Sequence, residues 1–120
     1  MAGKLTTHVL DTAHGCPAAG LLITLWTIDP TTGDRQLLVT TPTNADGRTD
    51  APLLVDEAFQ PGVYELVFAI GAYFRKLDEN LPDPLFLDEI PLRFGIADAD
   101  GHYHVPLLAS PWSYSTYRGS

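Results

Sequence analysis

Two histidines lie two positions apart in the segment HYHVPLL, at His102 and His104. Successive side chains of a β-strand point to opposite faces, so Tyr103 and Val105 are predicted to face the core and both imidazoles the other side. Neighbouring imidazoles can do acid–base chemistry, or can bind a metal ion with His8 or a carboxylate as the third ligand. They can also form an ordinary solvated surface. The spacing alone does not decide among these three interpretations.

Other polar side chains favour acid–base chemistry. His8 lies on the less apolar face of the first predicted strand, residues 5–11, and need not point into the core. Arg48 follows a tight turn at 44–47. Histidine can take a proton from water near neutral pH, and arginine can hold an oxyanion or a ring edge with two donors. The set therefore fits hydrolysis of an activated amide by water.

The chain ends in Tyr117, Arg118, Gly119 and Ser120, which close a run that is strand-like from residue 103 onward. A phenol, a guanidinium, a glycine that admits close backbone approach and a terminal carboxylate form a compact set of donors and acceptors. Such a set is suited to lining a polar site. The simpler interpretation is a last edge strand that Arg118 keeps soluble.

The composition excludes several classes of function. The chain has 120 residues, 45% of them hydrophobic and 18% charged, which predicts one globular domain over residues 1–120. A net charge of -8 argues against nucleic acid and anionic membrane surfaces as partners. No window has the length of a signal peptide or of a membrane span, so a cytoplasmic protein is expected.

The single cysteine, Cys16, lies in a His-Gly-Cys-Pro loop and cannot form an intrachain disulfide. It lacks the flanking signature of a cysteine nucleophile, and no Gly-x-Ser-x-Gly motif is present. Covalent catalysis is therefore not expected.

Turn signals recur about every ten residues and separate seven or eight short strands, with one short helix predicted at 71–78. This spacing is typical of an antiparallel β-sandwich. Residues 21–29 are apolar on both faces, as in a central strand covered on each side, and Arg48 is expected to begin a short strand. Pro91 suggests an edge or bulged position. The other predicted strands cover residues 36–41, 63–70, 85–96, 102–108 and 112–118.

Four segments together resemble the 5-hydroxyisourate hydrolases, a transthyretin-related family, and the likeness extends over essentially the whole chain. The terminal Tyr-Arg-Gly-Ser is specific to the hydrolases. Transthyretins share a similar Leu-Leu-Ser-Pro stretch but lack the histidines, the arginine and that ending. The segments are THVLDTAHGCPAAGL (7–21), NADGRTD (44–50), PGVYELVF (61–68) and YHVPLLASPWSYSTYRGS (103–120).

The resemblance implies a prealbumin-like sandwich that assembles as a homotetramer, a dimer of dimers, with active sites at the dimer–dimer interface. It implies hydrolysis of 5-hydroxyisourate, a small molecule of urate breakdown, to 2-oxo-4-hydroxy-4-carboxy-5-ureidoimidazoline, without a metal or another cofactor. The family's catalytic set falls on His8, Arg48 and His104 and on the ending Tyr117 to Ser120, while His102 remains outside it.

In the expected mechanism His104 activates a water, oriented by neighbours that include His8 and the Ser120 carboxylate. Arg48, with Arg118, holds the oxygen on which charge develops, and Tyr117 positions the substrate. Two alternatives belong to other classes. A transthyretin-like carrier would bind a hydrophobic ligand in the same channel, at a desolvation cost from the ionisable side chains. A cell-surface sandwich module would be expected to carry a secretion signal.

Overall fold

The computed structural model describes residues 3–119, and within that range it has nine β-strands and one α-helix. A single 3₁₀ turn covers Asp56–Ala58. The strands are β1 (Lys4–Asp11), β2 (Cys16–Pro17), β3 (Leu22–Ile28), β4 (Arg35–Pro42), β5 (Leu54–Val55), β6 (Gly62–Phe68), β7 (Ile90–Ile96), β8 (His102–Ala109) and β9 (Tyr114–Thr116), and the helix is α1 (Ile70–Leu77).

The strands form two sheets packed face to face. The first sheet has the order β2-β1-β8-β9, with β5 also paired to β1, and the second has the order β4-β3-β6-β7. The predicted β-sandwich with one short helix is confirmed, and the two-residue strands β2 and β5 bring the count to nine in residues 3–119. Pro91 lies in β7 at the edge of its sheet, as predicted.

The pair formed by β1 and β8 is parallel, whereas every other strand pairing in the described chain is antiparallel. Parallel neighbours require a long crossover connection. Here the second sheet is formed entirely by the chain between β1 and β8. Strand β8 therefore pairs with β1 only after that sheet is complete.

The core lies between the sheets and follows the alternation of the strands. Leu5 and Val9 of β1 are fully buried, as are Ile23 and Leu25 of β3. On β8 the predicted core face is confirmed, since Tyr103, Val105 and Leu107 are buried. One face of the first sheet is thus fixed inward, and the side chains at the intervening positions lie on its outer face.

Several local predictions were wrong. The strands predicted at 85–96 and 112–118 are confined to Ile90–Ile96 and Tyr114–Thr116. Strand β3 is central in its sheet, but its outer face is only partly covered, with Leu22 47% exposed, because each sheet of a two-layer sandwich buries only one face. Arg48 does not begin a strand. The segment around it meets β1 through one isolated bridge between His8 and Arg48, since the turn leaves too few residues in register for a ladder.

Among the described residues, no helix is long and apolar enough to cross a membrane.

Candidate active site

The parallel register of β1 and β8 sets the candidate residues in rows across the outer face of the first sheet. Thr6 lies opposite His104, and His8 lies opposite Pro106. Lys4 lies opposite His102 in the same way. Directly opposed residues share a face and their Cβ atoms lie about 5 Å apart. The pairing thus gathers residues almost a hundred positions apart in the sequence.

The carboxyl-terminal segment adds a third column to these rows. Strand β9 pairs with β8 so that Thr116 lies opposite Leu107, and an isolated bridge joins Gly119 to His104. The Gly119 N–H donates to the His104 carbonyl at 2.7 Å. These two pairs follow one antiparallel register, in which Tyr117 lies opposite Pro106. Since Pro106 lies opposite His8 on the other side, Tyr117 is in the same row as His8.

Gly119 lies against the His104 imidazole as only a glycine can. A Cβ at this position would lie 2.8 Å from Cδ2 of His104 and 3.3 Å from its Cβ. Real Cβ atoms do not approach neighbours this closely, so any other residue would displace either the ring or the terminal segment. The penultimate glycine therefore permits the contact between the chain end and the histidine.

His104 is half-buried and is held from the other side by Thr6. The Thr6 hydroxyl oxygen and Nδ1 of His104 lie 2.8 Å apart. Burial lowers the pKa of His104 below its usual value, and the nearby charges of Arg48 and His8 lower it further. The neutral imidazole, which can accept a proton, is accordingly favoured.

Arg48 reaches the face from a turn that docks on β1. The Asn44 side chain accepts hydrogen bonds from the backbone N–H groups of Asp46 and Arg48, and the Gly47 carbonyl accepts one from the N–H of Val9 at 2.8 Å. Gly47 has φ 76° and a Cβ there would collide with the Val9 carbonyl, so the turn requires glycine. The turn then presents an exposed Arg48 close to His8.

Strands β1 and β8 and the segment that follows the turn line an open polar cleft of about 450 Å³. Its charged and hydroxyl groups come from both strands and from the segment after the turn, and it is large enough for one heterocyclic small molecule. Its polar residues are Lys4, Thr6, Arg48, Thr49, Asp50, His102 and His104, together with Thr7, whose hydroxyl is turned to the Val105 carbonyl.

His8 lies one row further along β1, opposite Pro106, and is not among the residues that line this cleft. Three other predicted site residues are placed differently. Tyr117 is 62% exposed and, with Arg118, lines a separate, more apolar cavity of about 330 Å³ beside β7. The Arg118 guanidinium stacks over the Tyr103 ring at 3.9 Å and donates to the His102 carbonyl. Ser120 lies outside the described residues. The roles predicted for these three residues stay predictions.

Sequence reasoning missed Thr6, although the alternation of β1 already placed it on the same face as His8. The described residues contain no group of three or more His, Cys, Asp or Glu side chains positioned to share a metal ion.

A family model described as HIUase/Transthyretin matches residues 5–119. The chain belongs to this family. A 5-hydroxyisourate hydrolase from Ralstonia nicotianae is 62% identical over 98% of this chain and 99% of its own length. A 5-hydroxyisourate hydrolase from Pseudomonas aeruginosa is 60% identical over 98% of this chain and 92% of its own. The prediction of an enzyme instead of a carrier is confirmed by these full-length relatives.

Solved structures of similar proteins have the same fold as this chain. An (S)-allantoin synthase superposes with a TM-score of 0.92 at 49% identity, over 99% of this chain, which spans 44% of that longer one. The Klebsiella pneumoniae 5-hydroxyisourate hydrolase has a TM-score of 0.80 at 31% identity, over 98% of this chain and 99% of its own. Transthyretin from Sparus aurata has a TM-score of 0.85 at 26% identity, over 97% of this chain and 96% of its own. The fold is common to all three proteins.

Replacing Arg48 by Gln is expected to raise the pKa of His104, because a positive charge that opposes the imidazolium is removed. An NMR titration of the His104 ring protons measures this directly. Arg35→Gln is the matched control, since Arg35 pairs with Glu65 on the second sheet and should leave the titration unchanged. An unaltered or lowered His104 pKa in Arg48→Gln would contradict the electrostatic account.

Gly119→Ala is expected to move the His104 ring resonances while shifting the thermal midpoint by less than about 4 °C, because the strain falls on a segment beyond the end of β9 and outside the core. Gly95→Ala is the control, since a Cβ there meets no atom within 4 Å. If Gly119→Ala and Gly95→Ala left the His104 resonances equally undisturbed, the proposed contact would be absent in solution.

Proposed function

We propose that this chain hydrolyses 5-hydroxyisourate to 2-oxo-4-hydroxy-4-carboxy-5-ureidoimidazoline. The observation that carries the proposal is a half-buried histidine of lowered pKa, His104, which faces a polar cleft beside Arg48. The full-length relatives from Ralstonia nicotianae and Pseudomonas aeruginosa bear the name of this activity. A neutral base and a fixed cation are what hydrolysis of an activated cyclic amide by water requires.

In the proposed reaction, Nε2 of His104 takes a proton from a water molecule as the water oxygen attacks the ring carbonyl carbon. The Arg48 guanidinium holds the carbonyl oxygen as negative charge develops on it. The ring carbon–nitrogen bond then breaks, and His104 returns the proton to the departing nitrogen. The net change is addition of one water, which forms an N–H group and a carboxylic acid that then ionises by releasing its proton to solvent, with no metal taking part.

The other predicted residues complete this proposal. His8 lies in the row next to His104, where it can orient the water or contact the substrate. Tyr117 lies level with His8 and is assigned to substrate positioning. Arg118 and the Ser120 carboxylate are assigned to the same site on the strength of the family ending.

We also propose that the chain assembles as a homotetramer, a dimer of dimers, with the sites at the dimer–dimer interface. The resemblance to the family supports this, as does the position of the cleft on the open outer face of the first sheet, where a second copy can close it. The cytoplasmic location stays a prediction from the sequence.

The activity is tested by generating 5-hydroxyisourate from urate with urate oxidase and following its absorbance. Adding this protein should accelerate the decay, to the same extent with and without a chelator. Absence of any acceleration would refute the proposed function. Acceleration that the chelator abolishes would refute the metal-free mechanism alone.

His104→Asn is expected to lower turnover by about a hundredfold to a thousandfold or more, because the general base is lost. His14→Asn is the control for loss of an imidazole elsewhere, since His14 lies in the turn after β1 and bonds to Asp11. Its turnover should stay within about threefold of wild type. Thermal unfolding of both variants excludes misfolding as the cause, and wild-type turnover in His104→Asn would refute the role of this histidine.

A further inference from the structure

Thr6 and Thr7 are adjacent on β1 but their hydroxyls have different surroundings. Thr7 is 1% exposed, and its hydroxyl donates to the Val105 carbonyl at 2.7 Å, a purely structural bond between the two strands. Thr7 also contributes to the lining of the polar cleft, but it is Thr6 that lies on the outer face. Its hydroxyl oxygen lies 2.8 Å from Nδ1 of His104.

We propose that Thr6 is a positioning residue, whose hydroxyl oxygen accepts the Nδ1–H of His104 and so keeps the Nε2 lone pair directed into the cleft. The proposal rests on the function proposed above, in which Nε2 takes the proton of the attacking water. Nothing in the sequence pattern or in the family ending assigns a role to Thr6.

The direction of the hydrogen bond follows from the other groups in the cleft. A hydroxyl can donate or accept, so the 2.8 Å distance allows either tautomer of His104. Lys4 and Arg48, however, carry only donors, and they line the same cleft as the ring, while the Asp50 carboxylate there already accepts a hydrogen bond from the Asn44 side chain. A bare Nε2 facing these cations is favoured over an Nε2–H, whose positive end would point toward like charge. Nδ1 then carries the proton and donates it to Thr6.

The geometry of the hydroxyl is also fixed. Threonine is branched at Cβ and has few side-chain rotamers, so a strand position holds its oxygen in one place. Gly119 packs against the opposite edge of the ring near Cδ2. The imidazole is therefore held between β1 and the segment that ends at Gly119, and Nε2 is the ring nitrogen left to meet a water.

A neutral partner suits a histidine that must first take a proton and then release it. The Nδ1–H bond to the Thr6 oxygen is the same whether Nε2 is bare or protonated, so the ring does not have to turn during the reaction. A carboxylate at this place would stabilise the imidazolium and retain the proton. The other charged or titratable groups around the ring are Lys4, His8, Arg48, Asp50, His102 and Arg118.

The tautomer is measured without substrate. Nitrogen-15 NMR of the histidine rings distinguishes a protonated from a bare ring nitrogen by its chemical shift. We expect wild-type His104 to be protonated at Nδ1 at pH 7.5, and Thr6→Val to become a mixture of tautomers. Thr6→Ser should keep the wild-type pattern. Thr7→Val, which also loses a hydroxyl on β1, is the matched control and should keep it too.

The kinetic consequence is a loss in kcat with little change in KM. Thr6→Val is expected to lower kcat by about 10- to 100-fold, because the ring is no longer held for attack, with KM within about twofold of wild type. Thr6→Ser and Thr7→Val should stay near wild-type kcat, Thr7→Val losing only thermal stability.

An Nε2–H tautomer in the wild-type protein, or full kcat in a folded Thr6→Val, would overturn the inference. The two measurements separate this failure from failure of the proposed function. If the NMR result is as expected but no variant and no wild type hydrolyses 5-hydroxyisourate, the positioning contact stands and the function falls. If hydrolysis is present and the tautomer does not depend on Thr6, the function stands and this inference falls.

Discussion

The parallel pairing of β1 with β8 is the constraint on which the candidate site depends. Leu5 and Val9 are fully buried, and burying side chains of this size contributes about 1.5–3 kcal/mol each. A slip of one residue would turn these two outward and direct Thr6 and His8 into the core. The hydrophobic alternation of β1 therefore determines which polar groups reach His104, and core packing and site geometry are set by the same register.

Two backbone contacts then complete the electrostatics of the site. Gly47 allows its turn to lie against Val9, which delivers the Arg48 charge to the cleft, and Gly119 allows the chain end to cover the His104 ring. Partial burial and a neighbouring cation both disfavour the imidazolium. In the proposed reaction, the arginine that helps to keep the base neutral also stabilises the oxyanion, so one charge serves both steps.

The sequence predicted those features that depend on local pattern. The alternation of apolar residues predicted the core face of β8 and the outward position of His8. The regular spacing of the turn residues predicted the β-sandwich. The resemblance supplied Arg48 and His104 as a set. Local pattern carries no information on which distant strands pair. The Thr6–His104 hydrogen bond and the packing of Gly119 against His104 were therefore not predicted and are known only from the structure. The local pattern predicted that Arg48 begins a strand. This was wrong because the segment after the turn meets β1 through a single bridge and does not continue as a strand.

Two of the cavities among the described residues lie beside the predicted site residues, the polar cleft at His104 and the more apolar one beside β7, and the central claim is that the polar cleft binds the substrate. A crystal structure with a stable planar oxopurine such as urate tests this most directly. The account predicts that the ring lies against His104 and Gly119 with an oxygen on Arg48. A molecule bound instead between Pro91–Gly95 and Tyr103, with the polar cleft empty, would contradict it.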